Sequence, residues 1–254
     1  MTLALVATVG HGSSALWYLT RATGLVAFIL LSATVVVGIV SSIGWTTGRW
    51  PRFLSQAVHR NLSLFCLALI GIHVATTVGD GYVPIGFADA VIPFRSPYRP
   101  LWVGLGACAF DLLLAVAVTS ALRRRIGART WRGVHFLAYL CWPIALLHAL
   151  GSGSDVRLPA AQVIDVLCIT AVFGASAWRL AIARTVSAGR RFSTALAATL
   201  GLLGVALFAH VGPLRSGWSH RSGTSPALLS QLDGTTPVST APSQRGPVTP
   251  GASR

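Results

Sequence analysis

Six runs of about 20 apolar residues, nearly free of charge, limit what this chain can fold into. They lie at roughly 16–42, 61–79, 101–122, 133–152, 159–180 and 192–212. A helix of about 20 apolar residues is long enough to cross the hydrocarbon core of a bilayer. Only 10% of the residues are charged, against about 25% in soluble domains. The sequence therefore predicts an all-α membrane protein, a six-transmembrane-helix bundle, and excludes most soluble enzymes.

The arginines between the runs predict the orientation of the bundle. Most of them follow runs one, three and five, at Arg49, Arg52, Arg60, Arg123, Arg124, Arg125, Arg129, Arg132, Arg179, Arg184, Arg190 and Arg191. Positively charged loops stay on the cytoplasmic side. We therefore expect a multi-pass protein of the plasma (inner) membrane with both termini outside. The formal charge of +14 is explained by topology, and no nucleic-acid partner is expected.

The sequence divides into three parts. Residues 1–14 form a short N-terminal segment, and 15–212 hold all six runs. Residues 213–254 are rich in Ser, Thr, Pro and Gly, which predicts a disordered extracytoplasmic tail. The loop 80–100, with several aromatic residues, is expected to lie at the membrane interface as a lid over the outer end.

Four histidines lie at the ends of two runs that cross the membrane in the same direction. His59 and His73 are 14 residues apart around run two, and His135 and His148 are 13 apart around run four. At about 1.5 Å and 100° per residue, His59 and His73 share a face roughly 21 Å apart. His135 and His148 share a face only if the helix is kinked, for example at Pro143, or locally overwound.

The matched depths predict two stacked sites, His59 with His135 at the inner level and His73 with His148 at the outer level. Two imidazoles at each level suit the axial ligands of two b-type haem irons, although one haem is also compatible. Zinc or copper would favour additional Cys or carboxylate ligands. Each histidine could instead be a polar residue bonded to a neighbouring helix.

This pattern resembles the ferric-reductase-like transmembrane domain family, in which two histidine pairs, 13 or 14 residues apart, lie on alternate helices. The family includes ferric reductases, the NADPH oxidases and the haem-binding membrane subunit of the bacterial periplasmic methionine sulfoxide reductase system. The segment "WYLTRATGLVAFILLSATVVVG" is similar to the family's opening helix, with Arg21 near the outer haem. Larger relatives continue into cytosolic flavin and nicotinamide domains, which are not expected here.

The resemblance implies a b-type cytochrome that carries electrons across the membrane. The donor would be a separate flavoprotein or a quinol, and the acceptor outside would be ferric iron, oxygen or a partner oxidoreductase. The chain would be an oxidoreductase component with iron-binding histidines and no catalytic side chain of its own.

Two charged residues inside the runs have open roles. Arg21 is a candidate ligand for a haem propionate, or it extends to lipid headgroups. Asp111 lies near the bilayer midplane, where a carboxylate is costly; it could relay protons, pair with Arg21 or bond a hydroxyl. A second function therefore stays open, a haem-free permease or accessory subunit that uses the histidines and Asp111 for proton or solute passage.

Overall fold

The structure is a computed structural model that describes residues 15–81, 83–182 and 187–232. In these residues the chain is helical, with one isolated bridge between Thr47 and Trp50. The helices are α1 (Ala15–Ile43), α2 (Arg52–Asp80), α3 (Phe87–Val91), α4 (Pro100–Ala121), α5 (Arg123–Ile126), α6 (Ala128–His135), α7 (Ala138–Ser152), α8 (Pro159–Ile182), α9 (Ala188–Val211), α10 (Trp218–Arg221) and α11 (Pro226–Leu232).

Six spans are long and apolar enough to cross a membrane, which confirms the predicted fold. They are α1, α2, α4, α8, α9 and the continuous segment Ala128–Ser152, made of α6 and α7. Helix α2 ends where Gly81 adopts a left-handed conformation, φ 67°, which glycine tolerates without a Cβ clash. The chain is therefore a multi-pass membrane protein.

The fourth span is overwound directly after His135. Phe136 and Leu137 have ψ near −20°, and bonds between residues three apart join Leu137 N to Val134 O, Tyr139 N to Phe136 O and Leu140 N to Leu137 O. Such a 3₁₀ stretch turns about 120° per residue instead of about 100°. It supplies the local overwinding that the 13-residue spacing requires, ahead of Pro143 rather than at it.

Helix α1 lies at the centre of the bundle. It packs along α2, α8 and α7, whereas α4 packs against α7 and α6. The core is formed by buried side chains of α1, α7 and α8, including Phe28, Ile39, Trp142, Leu146 and Val172. In contrast, α9 has no buried residue and lies at the edge.

The two ends of the bundle differ. We call the end with α5, α6 and Arg123, Arg124 and Arg125 the basic end, and the opposite end, where α2 and α7 finish, the cap end. At the cap end, residues 213–232, which we call the cap segment, contact the bundle. Trp218 Nε1 donates to Gly151 O (2.8 Å), and the Trp218 ring lies 5.5 Å from that of Trp102.

The cap segment departs from the expectation that the chain is disordered beyond Gly212. Two of its polar residues are buried, Ser222 and Thr224, and the indole of Trp218 contacts the bundle. A Ser- and Pro-rich composition does not reveal such contacts. The loop expected to form a lid instead packs α3 beside α4. Residues 1–14, Tyr82, 183–186, with Arg184, and 233–254 lie outside the described residues.

Candidate functional site

Four histidines from two spans meet as two pairs, as their spacing predicted. The first pair joins His59 of α2 to His135 of α6, with ring centres 6.2 Å apart and ring planes at 77°. The second pair joins His73 of α2 to His148 of α7, at 6.5 Å and 80°. The first pair lies toward the basic end and the second toward the cap end.

Three of the four rings are fixed by a backbone carbonyl of the adjacent helix. In each case Nδ1 donates its proton: His59 to Thr34 O (3.0 Å), His73 to Thr20 O (2.8 Å) and His148 to Trp102 O (2.8 Å). An Nδ1–H donor leaves Nε2 unprotonated, with its lone pair free to bind a metal ion. Histidines that bind metals are typically oriented by such a bond.

A glycine one turn beyond each accepting residue leaves room for the ring. A Cβ on Gly24, Gly38 or Gly106 would lie 2.9, 3.0 or 2.5 Å from Cε1 of His73, His59 or His148, respectively. In all three cases Cε1 and Nδ1 are the ring atoms nearest to the position of that Cβ, and Nε2 is the next. Each ring therefore packs directly against the helix backbone at a position that only glycine leaves open.

These contacts form a repeat that the sequence prediction missed. The sequences T-x3-G at 20–24 and 34–38 are 14 residues apart, the same separation as His59 and His73. Both elements lie on α1. Each histidine of α2 therefore contacts its own threonine carbonyl and its own glycine, in an equivalent arrangement. The matching 14-residue period in two different runs is the signal that could have identified them.

His135 departs from this pattern. Its Nδ1 is buried with no hydrogen-bond partner among the described residues, and its ring stacks on Trp131, with centres 5.1 Å apart. Trp131 Nε1 donates to Ser120 Oγ on α4 (3.3 Å). Ser120 lies 14 residues after Gly106 on α4. His135 therefore has a serine–tryptophan contact nearby in place of the glycine that each of the other three histidines packs against.

The geometry of both pairs fits one metal ion bound from two sides. An imidazole nitrogen lies about 1.1 Å from its ring centre and a metal–imidazole bond is about 2.0–2.1 Å, so opposed ligands put ring centres about 6.3 Å apart. No third His, Cys or carboxylate joins either pair within the described residues. A macrocycle that brings its own equatorial nitrogens fits this donor set, and a four-ligand zinc site does not.

The charged residues inside the runs have different surroundings. Arg21 forms an ion pair with Asp155, which follows α7, and its guanidinium lies 3.9 Å from the ring centre of Trp17. The pairing of Arg21 with Asp111 is therefore wrong, because Asp155 takes that place. Asp111 is half-buried on α4.

A known protein family matches the part of the chain that holds most of this site. Residues 23–146 match the family model described as "Ferric reductase like transmembrane component", a range that contains His59, His73 and His135. The chain is 28% identical over 148 residues to the protein-methionine-sulfoxide reductase heme-binding subunit MsrQ of Ralstonia nicotianae. That alignment covers 57% of this chain and 63% of the relative, so the chain spans less than two thirds of the relative's length. No solved structure is significantly similar to the chain.

Proposed function

We propose that this chain, whose residues 23–146 match the ferric-reductase-like transmembrane family that it resembles in sequence, is a haem-binding electron-transfer component of the membrane. His59 with His135, and His73 with His148, would each bind one b-type haem iron. The observation that supports this most is the pair of ring-centre separations, 6.2 and 6.5 Å. The name of the MsrQ relative, a heme-binding subunit, agrees with it.

The chain's own residues set the state of each ligand. Carbonyls of Thr34, Thr20 and Trp102 accept the Nδ1–H bond and so leave Nε2 as the nitrogen that can bind iron. The two histidines of each pair would hold one haem, which would supply one-electron redox chemistry, and two protein ligands on the iron would favour electron transfer over oxygen binding. The protein supplies ligands, spacing and an environment from which water is excluded.

The arginine-rich end would face the cytoplasm, because positive charge is retained there. Electrons would then enter near the first pair, from a flavoprotein or a quinol, and leave at the cap end to ferric iron, oxygen or a partner oxidoreductase. Arg21 remains a proposed ligand for a haem propionate at the cap end, although its charge is already neutralised by Asp155. The location of the first pair toward the basic end and of the second pair toward the cap end supports this direction of transfer.

Transmembrane electron transfer is the test of this function. In vesicles that contain the haem-loaded protein and a trapped reductant, we expect external ferricyanide, which does not cross the bilayer, to be reduced at the expense of the trapped reductant. Protein-free vesicles serve as the control. Reduction no faster than in those vesicles, with haem present in the protein, would contradict the proposal. Proton or solute flux that survives without any haem, and is lost in His59→Ala and His73→Ala, would favour the permease.

The two sites should differ in how firmly they hold haem. His135 lacks the carbonyl partner that the other three histidines have, and loss of such a partner typically costs 10–100-fold in metal affinity. We therefore expect haem at the first pair to transfer to excess apomyoglobin at least about tenfold faster than haem at the second. His73→Ala, which retains the first pair, and His59→Ala, which retains the second, allow the two rates to be measured separately. Equal rates, or the reverse order, would show that the missing bond has no consequence.

A further inference from the structure

Arg99 is a buried arginine at the cap end whose charge has no carboxylate partner in the described part of the chain. Its relative exposure is 7%, and it holds a left-handed backbone conformation, φ 43°, as the residue before α4. Its Nη1 donates to the carbonyls of Gly151 (3.1 Å) and Ser152 (3.0 Å), while its buried Nε has no hydrogen-bond partner among the described residues.

Burial of a guanidinium without an anionic partner is energetically unfavourable. Buried charges are normally paired, since removal from water costs several kcal/mol per ion. Asp155 pairs with Arg21 and Asp89 with Arg95, so neither of these carboxylates belongs to Arg99. Two backbone carbonyls at the end of α7 and the face of Tyr98, 5.1 Å away, solvate the charge without neutralising it. An anion within hydrogen-bond distance of Nε would pair with this charge.

Arg99 is connected to the second histidine pair from both sides. The carbonyls that it binds belong to the last turn of α7, one turn beyond His148 in the direction of the cap end. The carbonyl that holds His148 belongs to Trp102, in the first turn of α4 next to Arg99. The cap segment closes over this place, because Thr224 Oγ1 accepts from Arg99 N (3.3 Å).

We propose that Arg99 binds a propionate carboxylate of the haem held by His73 and His148. This inference rests on the proposed function and adds a specific anchoring residue to it. The unused Nε–H would donate to a carboxylate oxygen, a charge-assisted bond that arginine forms with good geometry. Arg21 at this end already has a carboxylate partner, Asp155, and Arg99 has none among the described residues.

The test measures how fast haem leaves the second pair, in a His135→Ala background that removes the first site. We expect Arg99→Gln to raise the rate of haem transfer to apomyoglobin at least about tenfold, and Arg99→Lys, which keeps the charge, to raise it less. Arg95→Gln is the matched control, since Arg95 lies in the same loop and pairs with Asp89 at the surface. It should leave the rate unchanged.

Haem dimethyl ester, whose carboxylates are blocked, makes the test independent of how the variants fold. With the arginine intact, we expect the ester to leave at least about tenfold faster than native haem, and Arg99→Gln to add little to that rate. Equal rates for ester and native haem, or equal effects of Arg99→Gln on both, would overturn the inference. A chain that retains no haem before any Arg99 substitution would instead contradict the proposed function.

Discussion

Replacing Gly106 by alanine is expected to empty the second histidine pair. The new Cβ would lie 2.5 Å from Cε1 and Nδ1 of His148, closer than non-bonded atoms can approach, while the ring is held by Trp102 O. The ring must therefore move, and metal–ligand distances tolerate only about 0.2 Å. Haem content, measured as the pyridine haemochromogen, should fall by about half, with the first pair unaffected.

Gly71→Ala is the matched control for this substitution. Gly71 also lies within a transmembrane helix, and nothing lies within 4 Å of the position its Cβ would take. Alanine stabilises a helix relative to glycine by roughly 1 kcal/mol, so Gly71→Ala should retain full haem content. A Gly106→Ala protein with the haem content and low-spin spectrum of the unmodified chain would show that the glycine does not accommodate a ligand.

Replacing His73 by alanine should remove one haem and interrupt the path across the membrane. His59 and His73 lie roughly 21 Å apart along α2, and each is bonded to its own carbonyl of α1. The first pair should therefore keep its haem and its low-spin spectrum. In the vesicle assay, ferricyanide reduction should fall to the rate of protein-free vesicles.

His210→Ala tests whether the effect is specific to the pairs. His210 is exposed on α9, near the cap end, and belongs to neither pair. Its replacement should change neither haem content nor ferricyanide reduction. If His73→Ala retained the full haem content, or if His210→Ala lost haem to the same extent, the proposed ligand assignment would be wrong.

The sequence was sufficient to predict the spans and the pairing of the histidines, because both depend on regular helix geometry. A run of apolar residues predicts a span, and 14 residues bring His59 and His73 to one face. The 13-residue spacing in the fourth span pointed to a kink or overwinding. The structure has the overwinding at Val134 to Leu140, whereas Pro143 was the residue singled out.

The residues that surround the histidines and the buried arginines could not be predicted in the same way, because their positions depend on contacts between helices. Gly24, Gly38 and Gly106 are unremarkable in a membrane sequence until their distances to histidine rings are known. The counter-ion of Arg21 is Asp155, 134 residues away. Arg99 is buried where it contacts both the cap segment and the end of α7. Composition suggested disorder for that segment.

The most direct test of two bis-histidine haem sites is the haem content and ferric electron paramagnetic resonance spectrum of the purified, detergent-solubilised chain, expressed with ample haem. We expect two low-spin b haems per chain, with the strongly anisotropic signals that nearly perpendicular imidazole planes produce, since the ring planes meet at 77° and 80°. A chain that binds no haem, or binds it only in a high-spin form with a single axial ligand, would contradict the account.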